Sequence, residues 1–344
     1  MFNILLSCVG RRAYMISYFK EALHGDGKVF ATNSELTYAL FQADGYAIAP
    51  LIYDDSYIDF LLGYCIENHI GAVVSLFDID LPVLAKNKVR FEENGIKLII
   101  SNYEAIQICN DKWLMNNFLQ RINIKTPSTF IDEAQAIIAI ESGYLSFPFV
   151  IKPRWGMGSL GVYEIDNIDE FRVLFLKLKK EIFSSYLKYE SCADCDHCII
   201  IQEKIFGQEY GIQILNDLNE QYVTTMVIKK LAMRAGETDI AITVGNSCFE
   251  PTAITVSQNL RHNSILDVDS IVNDAGDIII LDMNCRFGGQ YPFTHMAGAN
   301  VPRQIIEWLM DNETSSSFFS IKKDCLICKN IVPGIFKIES LEHN

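Results

Sequence analysis

No run of about 18 or more apolar residues, the length a membrane-spanning helix requires, occurs in this 344-residue chain. The apolar start at residues 2–10 is too short to span a bilayer. Its positive charges, Arg11 and Arg12, follow it, which is the wrong order for a secretory signal. Basic residues are also scarce. The 29 Lys and Arg face 43 Asp and Glu, giving a formal net charge of −14. That balance argues against a general nucleic-acid binder but leaves room for a local basic pocket. There is no internal repeat and no long low-complexity segment; residues 314–317 are a brief Ser-rich linker. His24, His69, His197, His262 and His343 show no triad or metal spacing. The expectation is a cytoplasmic protein without membrane or nucleic-acid partners, whose ten cysteines are mostly reduced thiols.

What the chain has is 49% hydrophobic residues, enough for two or three domains with a large core. Strands are expected at 2–7, 28–31, 45–49, 72–75 and 97–100, with helices at 13–23, 56–68 and 80–94. This alternation predicts a parallel βα (Rossmann-like) domain. The turn Val9-Gly-Arg-Arg12 lies where such folds bind ligands, though a plain tight turn is the competing view. Helices at 110–120, 132–140 and 169–189 follow. The remainder is strand-rich, with strands at 199–202, 211–215, 221–229, 265–272 and 277–284 and helices at 251–260 and 302–310. The fold class is therefore α/β followed by α+β with antiparallel sheets, divided at 1–109, 110–198 and 199–344.

Three segments carry chemistry. The first is a strand, 147–151, ending at Lys152-Pro-Arg-Trp-Gly156-Met-Gly158-Ser-Leu-Gly161. Its glycines let the backbone fold around an anion, and Lys152 supplies a point charge for phosphate. It is neither a Walker A loop nor a dinucleotide fingerprint, and a strand is expected after it at 162–165. The second is Gln202-Glu-Lys-Ile205, followed by Glu209, which could accept from ribose hydroxyls; taken alone, a surface loop with charged tips is the favoured view. The third is Asp282-Met-Asn284-Cys-Arg286. If the strand runs through all three, they share one face and suit a Mg²⁺–phosphate cluster. Asp269 could add a carboxylate from the preceding strand, with Asp267 as the alternative. The competing view is a solvated face with Arg286 paired to Asp282.

Together these segments resemble the ATP-grasp superfamily, over about residues 111–308. The branch most similar is that of carbamoyl-phosphate synthases and amino-acid ligases, on Arg286-Phe-Gly-Gly-Gln-Tyr-Pro292 and His295-Met-Ala-Gly-Ala-Asn300. The resemblance implies ATP with Mg²⁺ (or Mn²⁺). Lys112 and Lys152 would hold phosphate, and Met157, Gly158 and Ser159 would form a lid. Gln202, Glu203, Lys204 and Ile205 would line the adenine hinge, with Glu209 on ribose. Asp269, Asp282 and Asn284 would bind the metal. Arg286 would stabilise the transferring phosphoryl group. Lys230 or Arg234 would contact γ-phosphate or a substrate carboxylate. Asp282 and Cys285 stand where the family usually has Glu and Pro. The implied activity is ADP-forming carboxylate–amine ligation of small molecules, with a homodimer as the candidate assembly. The alternatives are phosphorylation of bicarbonate or carbamate and a non-catalytic nucleotide-binding module. Zinc at Cys192, Cys195 and Cys198 with Cys325 and Cys328 is less favoured than free thiols. His295 could touch substrate or be structural, and Cys8 and Cys285 are expected to be buried.

Overall fold

The computed structural model describes residues 2–330. His343 and the end of the third expected domain lie outside the described residues. The chain opens with β1 (Asn3–Ser7), α1 (Ala13–Leu23), β2 (Val29–Asn33), β3 (Gly45–Ile48), α2 (Tyr57–Glu67) and β4 (Ile70–Ser75). Then come α3 (Asp80–Lys86), α4 (Lys88–Glu92), β5 (Lys97–Leu98), α5 (Tyr103–Asn110) and α6 (Lys112–Arg121). The five strands form a parallel sheet in the order β3-β2-β1-β4-β5. Ile4, Leu5 and Leu6 are all fully buried, because helices cover both faces of the central strand. One expectation fails here, and one helix is additional. The helix expected at 80–94 breaks at Asn87, which separates α3 from α4. Helix α5 was not foreseen; Asn102 caps it by accepting from the Ala105 N–H.

A second unit follows: β6 (Thr129–Phe130), α7 (Glu133–Glu141), β7 (Phe149–Pro153), β8 (Tyr163–Ile165), α8 (Ile168–Ser184), α9 (Lys188–Ser191) and β9 (Ile199–Glu203). Its sheet is antiparallel in the order β6-β9-β7-β8. The expected division at 198 falls just ahead of β9, whose pairs lie with β6 and β7. This unit has its own core, in which Phe171, Phe175, Leu178 and Ile182 of α8 pack onto Phe149, Ile151 and Ile199. The four α8 residues recur every three or four positions, so they form one helix face. The expected long helix ends at Ser184. The glycine loop joins β7 to β8, so a strand follows it rather than the helix of a dinucleotide site.

The last unit comprises β10 (Gln208–Asn216), β11 (Tyr222–Arg234), β12 (Glu237–Val244), α10 (Glu250–Leu260), β13 (Ile265–Val272), β14 (Ile278–Asn284), α11 (Tyr291–Met296), α12 (Val301–Leu309) and β15 (Leu326–Cys328). Its sheet runs β14-β13-β10-β11-β12-β15. Strands β12 and β15 and helix α11 were not foreseen. The parallel domain shares its cores with this sheet: Phe118 and Met115 pack with Ile280 and Met283, and Phe19 with Phe287 and Tyr291. The second unit, with a separate core, faces this joint body across a cleft.

Candidate functional site

Helix α6 places Lys112 at the cleft because Asp111 caps it, accepting from the N–H groups of Trp113 and Leu114. Asp111 also receives both sides of the Arg154 guanidinium, at 2.8 and 2.7 Å, and that guanidinium lies 4.2 Å from the Trp155 ring centre. This bidentate pair anchors the base of the glycine loop. The Lys112 ammonium donates to the Gly156 carbonyl at 2.6 Å and lies 3.4 Å from Asp282. One lysine therefore ties the glycine loop to the strand expected to hold metal.

Lys152 leaves β7 toward the same space. Burial, then the neighbouring Lys112 charge, pulls its pKa down to about 8, while Asp282 and Asp269 oppose the shift. Lys230, on β11, sits 2.5 Å from Asp269. Burial works against its charge, but Asp269, Glu209 and Asp267 outweigh it and raise the pKa.

Register between β13 and β14 sets Asp269 directly opposite Asp282, and Asp267 opposite Asn284. That favours Asp269 as the partner of Asp282. The strand stops at Asn284, as expected from 277–284, so Arg286 lies beyond it and the condition for one shared strand face is met by Asp282 and Asn284 alone. Arg286 nevertheless enters the cluster. Its guanidinium contacts Asp78 at 2.7 and 3.1 Å and lies 3.8 Å from Asp267. The competing expectation of an Arg286–Asp282 pair is thus replaced by Arg286–Asp78. Burial and Asp269 push the Asp267 carboxyl up to about 7, against the pull of Arg286. Burial alone would lower the Arg286 pKa, but Asp78 and Asp267 raise it.

One carboxylate oxygen each of Asp78, Asp267 and Asp282 is buried without a hydrogen-bond partner. Asp267 and Asp282 lie on the facing strands β13 and β14, and Asp78 on the loop after β4. The Asp282 oxygen has only the Lys112 ammonium, 3.4 Å away. Such under-bonded carboxylate oxygens suit a hard divalent cation. Asp269, Asp282 and Asn284 supply two carboxylates and an amide oxygen, so the residues fit such an ion. Among the described residues no three His, Cys, Asp or Glu side chains group as a metal site. Cys192 and Cys195 are exposed and Cys198 is buried, while Cys328 lies in β15, an edge strand of the other antiparallel sheet, with Cys325 just ahead of it.

Every residue expected at the nucleotide lines one cavity of about 350 Å³, from Lys112 and Lys152 through Ile205 and Glu209 to Lys230. The Ile205 backbone has no hydrogen-bond partner among the described residues, so its edge is open to a base. Gln202 and Glu203 use their side chains structurally, on Thr129 and the Ser128 N–H. Lys204 pairs with Glu164 at 2.5 Å. A second cavity of about 280 Å³ shares Lys230, Asp269 and Asp282 with the first and adds Asn284 and Arg286. The loop tip roofs both; Gly158 and Ser159 take left-handed backbone, φ 61° and 58°. Arg234 lines neither cavity and pairs with Asp239 at 3.0 Å, which leaves Lys230 as the cleft-facing member of the two.

Asp78 escaped the sequence reading. Its only signal was position, just past the carboxyl end of β4, where open α/β sheets bind ligands. His295 stacks on Tyr18 at 3.5 Å and meets the Tyr291 hydroxyl at 3.0 Å, an arrangement that supports α11. The Cys285 sulfur is buried 3.1 Å from that of Cys109.

Residues 4–99 match the family described as PylC-like, N-terminal domain, and residues 145–292 match the ATP-grasp domain. The carbamoyl phosphate synthase large chain of Halomonas eurihalina is 24% identical over 57% of this chain and 18% of its own length. The chain thus spans a small part of that relative. Among solved structures, a Campylobacter jejuni biotin carboxylase–β-γ-ATP complex superposes with a TM-score of 0.74 at 15% identity, over 94% of this chain and 74% of that one. A Bacillus licheniformis L-amino acid ligase gives 0.68 at 18% identity, over 94% and 78%. Fold, cleft and family matches agree on two parts: a PylC-like N-terminal domain at residues 4–99 and an ATP-grasp domain at residues 145–292.

Proposed function

We propose that the chain is an ATP-dependent, ADP-forming carboxylate–amine ligase acting on amino acids or small carboxylic acids through an acyl-phosphate. The observation that carries this is the continuity of the two cavities, which meet at Lys230, Asp269 and Asp282. Adenine lies against the open Ile205 edge and ribose at Glu209. Lys112, Lys152 and Lys230 converge on the phosphates. A bound Mg²⁺ or Mn²⁺, held by Asp269, Asp282 and Asn284, would neutralise phosphate charge.

A substrate carboxylate oxygen then attacks the γ-phosphorus, and the bond to the ADP oxygen breaks. Arg286, fixed by Asp78, stands where charge builds on the phosphoryl group. The amine next attacks the acyl carbon, phosphate leaves, and the surplus amine proton passes to water. The chain's work is positioning, charge stabilisation and exclusion of water under the 157–159 loop. Ten free thiols suit a reducing cytoplasm.

An ADP-release screen with amino acids, singly and in pairs, tests the proposal. Turnover that requires an amine is expected. The second reading is phosphorylation of bicarbonate or carbamate, favoured by the relatives named carbamoyl phosphate synthase. Turnover with bicarbonate alone would replace the first reading by the second.

A further inference from the structure

The Cys-rich connection Cys192-Ala-Asp-Cys195-Asp-His-Cys198 runs from α9 to β9. It lines neither cavity of the cleft, yet it grips the base of the glycine loop. Asp194 takes the Nη1 group of Arg154 at 3.1 Å, and the Cys198 carbonyl accepts from the Arg154 backbone N–H at 2.9 Å. The other two nitrogens of that guanidinium are on Asp111, so Asp194 completes its set of partners. Arg154 in turn holds Lys112, since its carbonyl accepts from the Lys112 backbone N–H at 3.2 Å. Through Arg154, Asp194 is coupled to a lysine that lines the nucleotide cavity.

Both ends of the connection are fixed. Ahead of it, Tyr189 stacks on Tyr53 of the parallel domain with ring centres 4.1 Å apart, and Glu190 accepts from the Tyr53 hydroxyl at 2.9 Å. Behind it, Cys198 is buried where β9 begins. Between these anchors Cys192 and Cys195 are exposed, and the Cys195 sulfur lies 3.8 Å from the Cys192 carbonyl oxygen. Two accessible thiols this close in one turn can be joined by a disulfide, and each can resolve an oxidised form of the other. Among the described residues no third ligand joins them in a metal-holding group. With the ends held, the movement that closes an S–S bond falls on the residues it encloses, Ala193 and Asp194.

We infer that Cys192 and Cys195 are a redox-modified dithiol that weakens nucleotide binding when oxidised, by withdrawing Asp194 from Arg154. The oxidant is a low-molecular-weight disulfide, of which glutathione disulfide is the probe. One thiol loses its proton to water and attacks that disulfide, giving a mixed disulfide and one glutathione thiolate. The second thiol loses its proton in turn, attacks the mixed disulfide, forms the Cys192–Cys195 bond and releases the other glutathione thiolate. Two thiols are oxidised, one disulfide is reduced, and the two thiolates released take up the two protons. In a reducing compartment the dithiol is the resting form. Asp194 is a positioning residue, acting on Lys112 through Arg154. The inference rests on nucleotide binding in the cleft and not on the ligase chemistry.

The test measures Mg-ATP affinity by calorimetry on the full 344-residue chain, reduced and after glutathione disulfide, with peptide masses locating any bond. The oxidised parent should carry a Cys192–Cys195 bridge and bind ATP about fivefold more weakly, the upper scale for a partly exposed ion pair. A dithiol reductant should restore the affinity. Cys192→Ser should match the reduced parent and ignore the oxidant. Asp194→Asn should bind about fivefold more weakly whether reduced or oxidised, while Asp194→Glu, which restores the charge, should come within about twofold of the parent. A bridge that forms without a change in affinity overturns the inference, as does failure of the bridge to form. So does an Asp194→Asn protein that binds like the parent, or a Cys192→Ser protein that still loses affinity on oxidation. No ATP binding by the reduced parent would remove the nucleotide reading itself, and the inference with it.

Discussion

Asp269 and Asp282 face each other across β13 and β14, and each is held by its own lysine: Lys230 at 2.5 Å and Lys112 at 3.4 Å. Carboxylates opposed in this way repel each other unless positive charge lies between or beside them. The two lysines supply it in the protein by itself, and a divalent ion would supply it with nucleotide. Asp282→Asn removes one charge from the pair at nearly constant shape. ADP release should fall by about 100-fold or more, the scale of removing a preorganised electrostatic group. Asp282→Glu restores the charge with one more methylene and should recover most of it. Equal loss in both variants would show that the charge is not what matters.

Lys152 gives a pH dependence with a definite sign. Its pKa in the folded chain is about 8, below the ordinary lysine value. The unfolded chain therefore binds more protons between that value and the ordinary one, and Lys152 contributes rising stability as pH climbs through this window. Nucleotide binding has the opposite slope, because phosphate favours the charged lysine. ATP binding above pH 8 should be accompanied by proton uptake, and the KM for ATP should increase with pH. Calorimetry in buffers of different ionisation enthalpy measures the uptake; Lys152→Met should abolish it.

Arg286 and Asp78 form a nearly buried pair, with side chains 10% and 7% exposed. Removing one partner of such a pair costs about 3–5 kcal/mol of stability, since the other charge is left unpaired. Arg286→Ala should lower the melting temperature sharply. Arg286→Lys keeps the charge but loses the planar fork, so it should melt closer to the parent and still turn over about 100-fold more slowly. Comparing melting and turnover in the two variants separates the structural from the chemical contribution.

Gly236 lies under the glycine loop with φ 78°, and a β-carbon there would come within 2.7 Å of the Ser159 hydroxyl oxygen. Gly236→Ala should keep nucleotide affinity within a fewfold while uncoupling turnover. The loop would be held off the cleft, and acyl-phosphate would be lost to water. The expected signature is ADP released in excess of ligated product. A ratio of one to one would argue that Gly236 has no part in closure.

The residues legible in the sequence are those whose chemistry is local. Lys152 ends an apolar strand and heads a glycine loop; Asp282, Asn284 and Arg286 recur at every second position. Asp78 was not legible, because it lies 208 positions from Arg286 and only the fold brings them together. Strand β12 could have been found from Ile240, Ile242 and Val244, which alternate after the Ala235-Gly236 turn. Helix α11 was masked by Pro292, which reads as a turn but occupies the first turn of a helix. The direct opposition of Asp269 and Asp282 is a matter of register, and a bulge between Asp269 and Ser270 means that counting from the turn alone cannot deliver it.

The central claim is that the joined cavities carry a carboxylate through an acyl-phosphate to an amine. The most direct measurement is ATP turnover with Mg²⁺ across paired amino acids, with hydroxylamine replacing the amine in a parallel series. The account predicts ADP and a ligated product only when acid and amine are both present, and a hydroxamate when hydroxylamine takes the amine's place. ADP formed with bicarbonate alone, or no hydroxamate from any acid, would contradict it.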